Sequence, residues 1–477
     1  MTATSPSPPV ALVGYDVGTD YHDEAVDAAG APRPASSAAL AAVGRQGALD
    51  GLCARLAGAV DRAGASFHSI DGDAEFKVDP VPRVLDAAEW ARLEAGMVQR
   101  VRALDAFVGD VYGRRSIVAA GVLPETVIAS CDYYERTLVG TGPPGGVWTG
   151  IAGLDLVRGA DGRFLVLEDN LRTPSGMAYA VVARRILAGL LGEVEPAPRP
   201  LDGLVGMLAA TLHAAAPDDA RADGDPHVVV VTDGRDNAAF FEHQWIASNL
   251  HVPLVEPDEL EVRGRRLWLR RRGERDPRPV DVVYRRTNGD RAVDPIGQIL
   301  LEPWRHGTLG LINGFGTGVA DDKLAHAYVE EMVRFYLGEE PLLASVPTYD
   351  LSRPEVLAEQ RPRLAELVVK PRTGHGGVGI VVGPHARPED VERVGAQIDA
   401  DPGAFVAQEL VSLSRHPTAI DGRLAPRHVD LRPFVFHAGD AVHVLPGGLT
   451  RVALTEGSLV VNSSQNGGAK DTWVLPS

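Results

Sequence analysis

Cysteine is nearly absent: Cys53 and Cys131 are the only two in 477 residues, and they form no CxxC pair. That excludes a disulfide scaffold and a thiolate zinc site, and it fits a reducing compartment. Long apolar runs are missing as well. None approaches the ~18 residues that a membrane-spanning helix needs. The best candidate is broken by Arg184 and Arg185. Positive charge is in deficit, 47 Lys and Arg against 64 Asp and Glu, and the net charge is −17. A chain this acidic lacks the basic face that non-specific nucleic-acid binding requires. The one arginine-rich stretch, RGRRLWLRRRGERDPRP at 263–279, alternates around Leu267, Trp268 and Leu269 and reads as a short strand or hairpin with solvated arginines. The opening MTATSPSPPVALVG carries no basic leader, and its first ten residues read as a disordered Ser/Pro-rich tail. The expectation is a cytoplasmic protein that meets neither membrane nor nucleic acid.

What is present is ordinary globular material, 45% apolar and 23% charged. At roughly 100–200 residues per domain the length predicts two to four units. Residues 84–112 make the strongest helix, with Trp90, Leu93, Met97, Val101, Leu104, Phe107, Val108 and Val111 at three- and four-residue steps. Gln99 and Arg100 read as surface residues of that helix. Residues 147–170 read as two strands joined by the turn Gly159-Ala160-Asp161-Gly162. A helix is expected from about Ala178 to Leu191, then a βαβ pattern with strands HVVVV, VPLVEP and PVDVVYRR and a helix over 237–250 opened by an Asn cap. Glu242-His243 on that helix reads as a solvated or capping pair. One further helix is expected over 322–337, and mainly strands and Gly-rich turns from 366 onward.

Four stretches could carry chemistry. FLVLEDN at 164–170 runs from apolar residues into Glu168, Asp169 and Asn170. Alternation along a strand puts Glu168 and Asn170 on one face and Asp169 on the other. A carboxylate and an amide oxygen there form half of a magnesium site, and Asp155, on the strand before the turn, is the natural second carboxylate. A polar strand end that caps the next turn is the plainer alternative. LVVKPRTGHGGVGIVVG at 367–383 formally contains GxGxxG, but a β-pattern follows the glycines where a dinucleotide site needs a helix. Lys370 precedes the glycines, which excludes a Walker A loop. A lysine and a glycine-rich hairpin folding over phosphates remains, beside an ordinary hairpin. AFVAQELV at 404–411 could present backbone groups to a flat heterocycle. Lys323 opens a helix after a Gly-rich loop, and Arg451 follows Gly447 and Gly448. Each suits an anion site, and each could equally be a surface lysine or a structural salt bridge.

Together LEDNLRTPSGMAY, GTGVADDKLAHAYVEEMVRFYLGEEPLL, VVKPRTGHGGVGI, QELV and LPGGLTRVALTEGSLVVNSSQNGGAKDTW resemble the circularly permuted ATP-grasp family, with glutathionylspermidine synthetase as a more distant relative. The resemblance runs from about residue 68 to the end. It implies an α/β (α+β) fold: a circularly permuted ATP-grasp core with an inserted Rossmann-like βαβ unit and an N-terminal helical region. The implied divisions are 1–67 (tail and helical segment), 68–224 (helices and metal-binding strands), 225–312 (Rossmann-like unit) and 313–477 (lysines, glycine loop, adenine hinge and C-terminal core).

The resemblance also implies roles. Asp155, Glu168 and Asn170 would bind Mg²⁺, leaving Asp169 structural. Lys323 and Lys370 would contact the phosphates of ATP, the loop containing Gly374, Gly376, Gly377 and Gly379 would cover them, Gln408, Glu409 and Leu410 would form the adenine hinge, and Arg451 would sit by the transferring phosphate. With Lys323, Lys370 and Arg451 as catalytic groups, the implied reaction is ATP-dependent joining of a small-molecule carboxylate to an amine, peptide-like substrates included, through an acylphosphate. The alternatives are an ATP-binding partner of another enzyme and a phosphotransferase. One departure stands out: glutathionylspermidine synthetases carry an arginine two residues before the metal-binding aspartate, where this chain has Gly153. Arg158 is the compensating candidate.

Overall fold

The computed structural model describes residues 12, 14–69, 72–271, 276–374, 379–458 and 467–477. At its centre is a nine-stranded sheet. Ile151–Arg158 pairs antiparallel with Phe164–Asn170, with Phe434–Ala438 and, at Leu156, with Arg423–Arg432. Arg423–Arg432 continues to Leu449–Val452, then Gly468–Val474, and Val78–Leu85 closes that side in parallel. Strands from opposite ends of the chain are therefore neighbours.

The long helix runs Ala87–Tyr112. Asp86 caps it by accepting the Glu89 N–H at 2.7 Å, and its eight-residue apolar stripe is buried. Gln99 and Arg100 are not surface residues. Arg100 turns into the protein and ion-pairs with Asp169, while Gln99 holds the 339–342 turn.

A second sheet, wholly parallel, orders Gly310–Ile312, Val282–Arg286, Val228–Thr232 and Leu254–Val255. Their valine and isoleucine runs are buried on both faces, as parallel strands require. The helix in this unit starts at Phe240; Asn237 accepts the Ala239 N–H and closes the turn ahead of it. Glu242 is not solvated. It is fully buried, accepts the Gly176 and Ala178 N–H groups at the start of helix Met177–Leu191, and ion-pairs with Arg286. Its neighbour His243 is hydrogen-bonded to Thr232, and burial with Arg286 nearby pushes its pKa down to about 2. The folded histidine stays neutral where the unfolded one protonates. Its stability contribution is therefore complete above about pH 6.5 and shrinks below that by about 1.4 kcal/mol per pH unit. Chemical denaturation between about pH 7 and pH 5 tests this, since His243→Gln should remove that share of the acid slope.

A third sheet orders Thr348–Asp350, Phe405–Glu409, Leu367–Pro371 and Val381–Val382, all antiparallel. Between it and the large sheet, the expected 322–337 helix is two pieces, Lys323–His326 and Val329–Leu337. The break lies where His326 turns to Asp169 and Tyr328 donates to Asp350. Among the described residues no helix is long and apolar enough to cross a membrane.

Candidate active site

Beyond the Gly159–Gly162 turn, Asp155 lies directly opposite Glu168 and Gly153 opposite Asn170. Directly opposed residues share a face, so Asp155 joins Glu168 and Asn170 there, while Asp169 lies on the reverse. A β-bulge makes this pairing: nearer the turn Leu156 faces Val166, and because Leu167 has no opposite number Asp155 meets Glu168 rather than Leu167. The Nε2 of Gln408 sits 3.4 Å from the carbonyl of that extra residue and 2.9 Å from Thr348 Oγ1.

Asp169 is locked on its own side. Arg100 grips both its oxygens at 2.6 and 2.8 Å, and His326 Nδ1 lies 2.7 Å away. Burial alone would raise its pKa, but Arg100 and His326 hold it well below the carboxylate range. Two clamps fix the strand pair from outside: Asn313 accepts the Ile151 N–H and donates to the Ile151 and Leu171 carbonyls, and Asp321 accepts the Leu171 N–H.

Cations converge on the other face. Lys370 Nζ is 3.4 Å from Glu168 Oε1. Arg451 Nη2 is 2.8 Å from Asp155 Oδ2 and also ion-pairs with Asp430. Lys323 Nζ donates to the Gly374 carbonyl at 2.9 Å, beside the glycine loop. Burial pushes the Glu168 carboxyl up and Lys370 pulls it down. Asp155 opposes, Lys323 and Arg451 assist, and the net is a pKa below the ordinary glutamate value. One carboxylate thus feels both lysines, the arginine and the facing aspartate. For Asp155, burial is outweighed by Arg432 and Arg451, which hold it at about 2.

Arg432 went unnoticed in the sequence, and it is the nearest cation to Asp155, gripping both oxygens at 2.6 and 2.8 Å. A Cβ built on Gly153 would lie 3.5 Å from its Cδ, so Arg432 fills the space beside the glycine. Arg158 does not compensate there: it pairs with Glu89 and Glu24 and covers the Phe164 ring. Asp430 and Arg432, alternating with Val429 and Leu431 at the end of their strand, were the available signal.

The remaining expected residues lie on the third sheet. Gly374 and Gly379 both have positive φ, and a Cβ at Gly379 would press to 2.8 Å on Pro371. Gly376 and Gly377 lie outside the described residues. Gln408 and Glu409 face Val368 and Leu367 on the Lys370 strand. The Glu409 carboxylate accepts from Tyr349 and Arg363, leaving its side chain occupied within the sheet. Leu410, half-buried, follows the strand's end.

Residues 82–453, which include Asp155, Glu168, Asn170, both lysines and Arg451, match the family described as circularly permuted ATP-grasp type 2. The chain belongs to that family. Its ATP-grasp fold is shared with a solved glutathione synthetase-like effector from Globodera pallida, at a TM-score of 0.55 and 10% identity, over 90% of this chain and 98% of that one. An uncharacterised Synechocystis sp. protein is 42% identical over 97% of this chain and 98% of its own length. A Frankia casuarinae protein, named provisionally as a glutamate–cysteine ligase, is 44% identical over 95% of this chain and 53% of its own. The circularly permuted ATP-grasp chain therefore spans about half the length of that relative. The permutation accounts for the order met in the sequence, with the acidic strand pair ahead of both lysines.

Proposed function

We propose that the chain is an ATP- and Mg²⁺-dependent ligase that joins a carboxylate to an amine. The observation carrying this reading is the single electrostatic neighbourhood of Glu168, in which Asp155, Lys323, Lys370 and Arg451 all act. Hard carboxylate and amide oxygens suit Mg²⁺, which takes one or two carboxylates and completes its shell with phosphate and water. Asn170, on the same face as Asp155 and Glu168, would be the third protein donor. Its carboxamide is not consumed by the fold, since its buried Nδ2 has no partner among the described residues. The ion would neutralise phosphate charge.

The protein's own contribution is alignment and charge. Lys323 and Lys370 would hold the phosphate tail, the loop spanning Gly374 and Gly379 would cover it, and the strand end at Gln408 to Leu410 would receive the adenine. A substrate carboxylate oxygen attacks the γ-phosphorus, the bond to the β-phosphate oxygen breaks, and ADP leaves. An amine then attacks the acyl carbon, expels inorganic phosphate and loses a proton, leaving an amide. Arg451, held charged because Asp155 and Asp430 outweigh the cost of burying it, would stand beside that centre. Excluding water protects an acylphosphate from hydrolysis, which is a sufficient reason for a covering loop.

The provisional ligase name of the Frankia relative points the same way, although it describes a protein about twice as long. The test is ADP release with a panel of amino acids, short peptides and polyamines, offered as carboxylate alone, amine alone and both. Release that requires both partners is expected. A stable phosphorylated product would make the chain a phosphotransferase, and tight ATP binding without turnover across the panel would favour a non-catalytic partner.

A further inference from the structure

Asp155 has two guanidinium partners, and they are not equivalent. Arg451 has a second carboxylate, Asp430, which accepts from both its Nε and Nη2. Arg432 has Asp155 as its only ion-pair partner among the described residues; its other contact is a long 3.4 Å hydrogen bond from Nη1 to the Ser175 carbonyl. It is also the more exposed of the two. Arg451 contributes to the field at Glu168 alongside the lysines, whereas Arg432 reaches toward the 173–176 loop. That loop is tied to the parallel sheet, because Arg286 at the carboxyl end of Val282–Arg286 donates to the Pro174 carbonyl and the Ser175 hydroxyl. Ligands of α/β sheets collect at such carboxyl ends.

We propose that Arg432 is an exchangeable counter-charge: it neutralises Asp155 in the free protein and turns to the carboxylate of the acceptor substrate when a divalent cation takes Asp155. The inference rests on the metal reading of Asp155 given above. A guanidinium released from one carboxylate matches a second carboxylate in charge and in its two-pronged geometry. Arg451, retained by Asp430, would stay in place. Gly153 belongs to the same arrangement, because a Cβ there would press to 2.8 Å on Pro174 and touch Arg432 at 3.5 Å.

The test uses the full chain with Mn²⁺ and a non-hydrolysable ATP analogue, and needs no turnover. Removing the competing cation by Arg432→Met should tighten Mn²⁺ binding about tenfold, the order by which one adjacent guanidinium shifts a carboxylate's proton affinity. Arg432→Lys, which keeps a charge, should stay near wild type. A merely structural Arg432 would loosen the site instead, and unchanged or weaker Mn²⁺ binding in the Met variant overturns the exchange. Arginine labelling by phenylglyoxal, mapped by mass spectrometry, supplies the second readout. Arg432 should be protected in the free protein, become reactive with Mn²⁺ and the analogue, and be protected again by acetate but not by chloride at equal ionic strength. Failure of acetate to protect overturns the carboxylate half. If the wild type binds no Mn²⁺ with the analogue, the metal reading itself falls, an outcome distinct from wild-type binding that Arg432→Met fails to tighten.

Discussion

Under the proposed function, Glu168→Gln should lower turnover by about 10²–10³-fold or more and abolish the stabilisation expected of the wild type with Mg·ATP. The substitution removes one charge and keeps the shape. Glu168 is the carboxylate at which Asp155, Lys323, Lys370 and Arg451 meet, so neutralising it would strip the proposed cation of a ligand and leave Lys370 without its ionic partner. The fold should tolerate this. The side chain is 31% exposed, its pair with Lys370 is a long 3.4 Å, and exposed or loosely made pairs of that kind contribute about 1 kcal/mol or less. Glutamine still offers Lys370 an oxygen. Lys370→Ala should likewise spare the fold while losing turnover, because Lys323 and Arg451 still offset the Glu168 charge. Thermal melts with and without Mg·ATP, beside ADP release, separate the two effects. A Glu168→Gln protein that keeps wild-type turnover would remove this carboxylate from the chemistry.

The neighbouring residue behaves in the opposite sense. Asp169→Asn costs about 3–5 kcal/mol of folding stability, because it breaks a buried pair and leaves the Arg100 charge without its carboxylate. Arg100, Asp169 and His326 are all buried, and the two Asp169 oxygens take both guanidinium donors as well as the imidazole. Asparagine can accept one of those bonds and carries no charge. Nucleotide affinity in the fraction that remains folded should stay within a few-fold of wild type, since Asp169 lies on the far face of its strand. Urea denaturation measures the first effect and analogue titration at low temperature the second. Adjacent acids in one seven-residue strand thus separate cleanly into function and stability. A stable Asp169→Asn protein that no longer binds nucleotide would reverse that assignment.

The opposite faces of Glu168 and Asp169 were legible in the sequence from strand alternation, but the register that sets Asp155 opposite Glu168 depends on a bulge. The family was legible in its long motifs. The bulge at Leu167 was not, since an extra residue in a strand leaves no trace in an apolar run. Arg100 was misread because one charged residue beside a clean apolar stripe looks solvent-facing, and its partner lies 69 positions away. Arg432 and Asp430 were missed for the same reason at greater range: Asp155 and Arg432 are 277 positions apart. A sequence displays spacing along one element well, but carries little sign of which distant charge will neutralise it. The expected 322–337 helix failed on a related point, since its break serves the contacts of His326 and Tyr328 with other elements rather than any helix-breaking residue.

The bond from Gln408 to the surplus Leu167 carbonyl also joins the third sheet to the large one. A purine settling against the 408–410 strand end would press on a side chain whose other end rests between Glu168 and Val166. Occupancy at the base could therefore adjust the spacing of the acidic pair before any phosphate arrives, making adenosine alone a modest modulator of divalent-ion affinity.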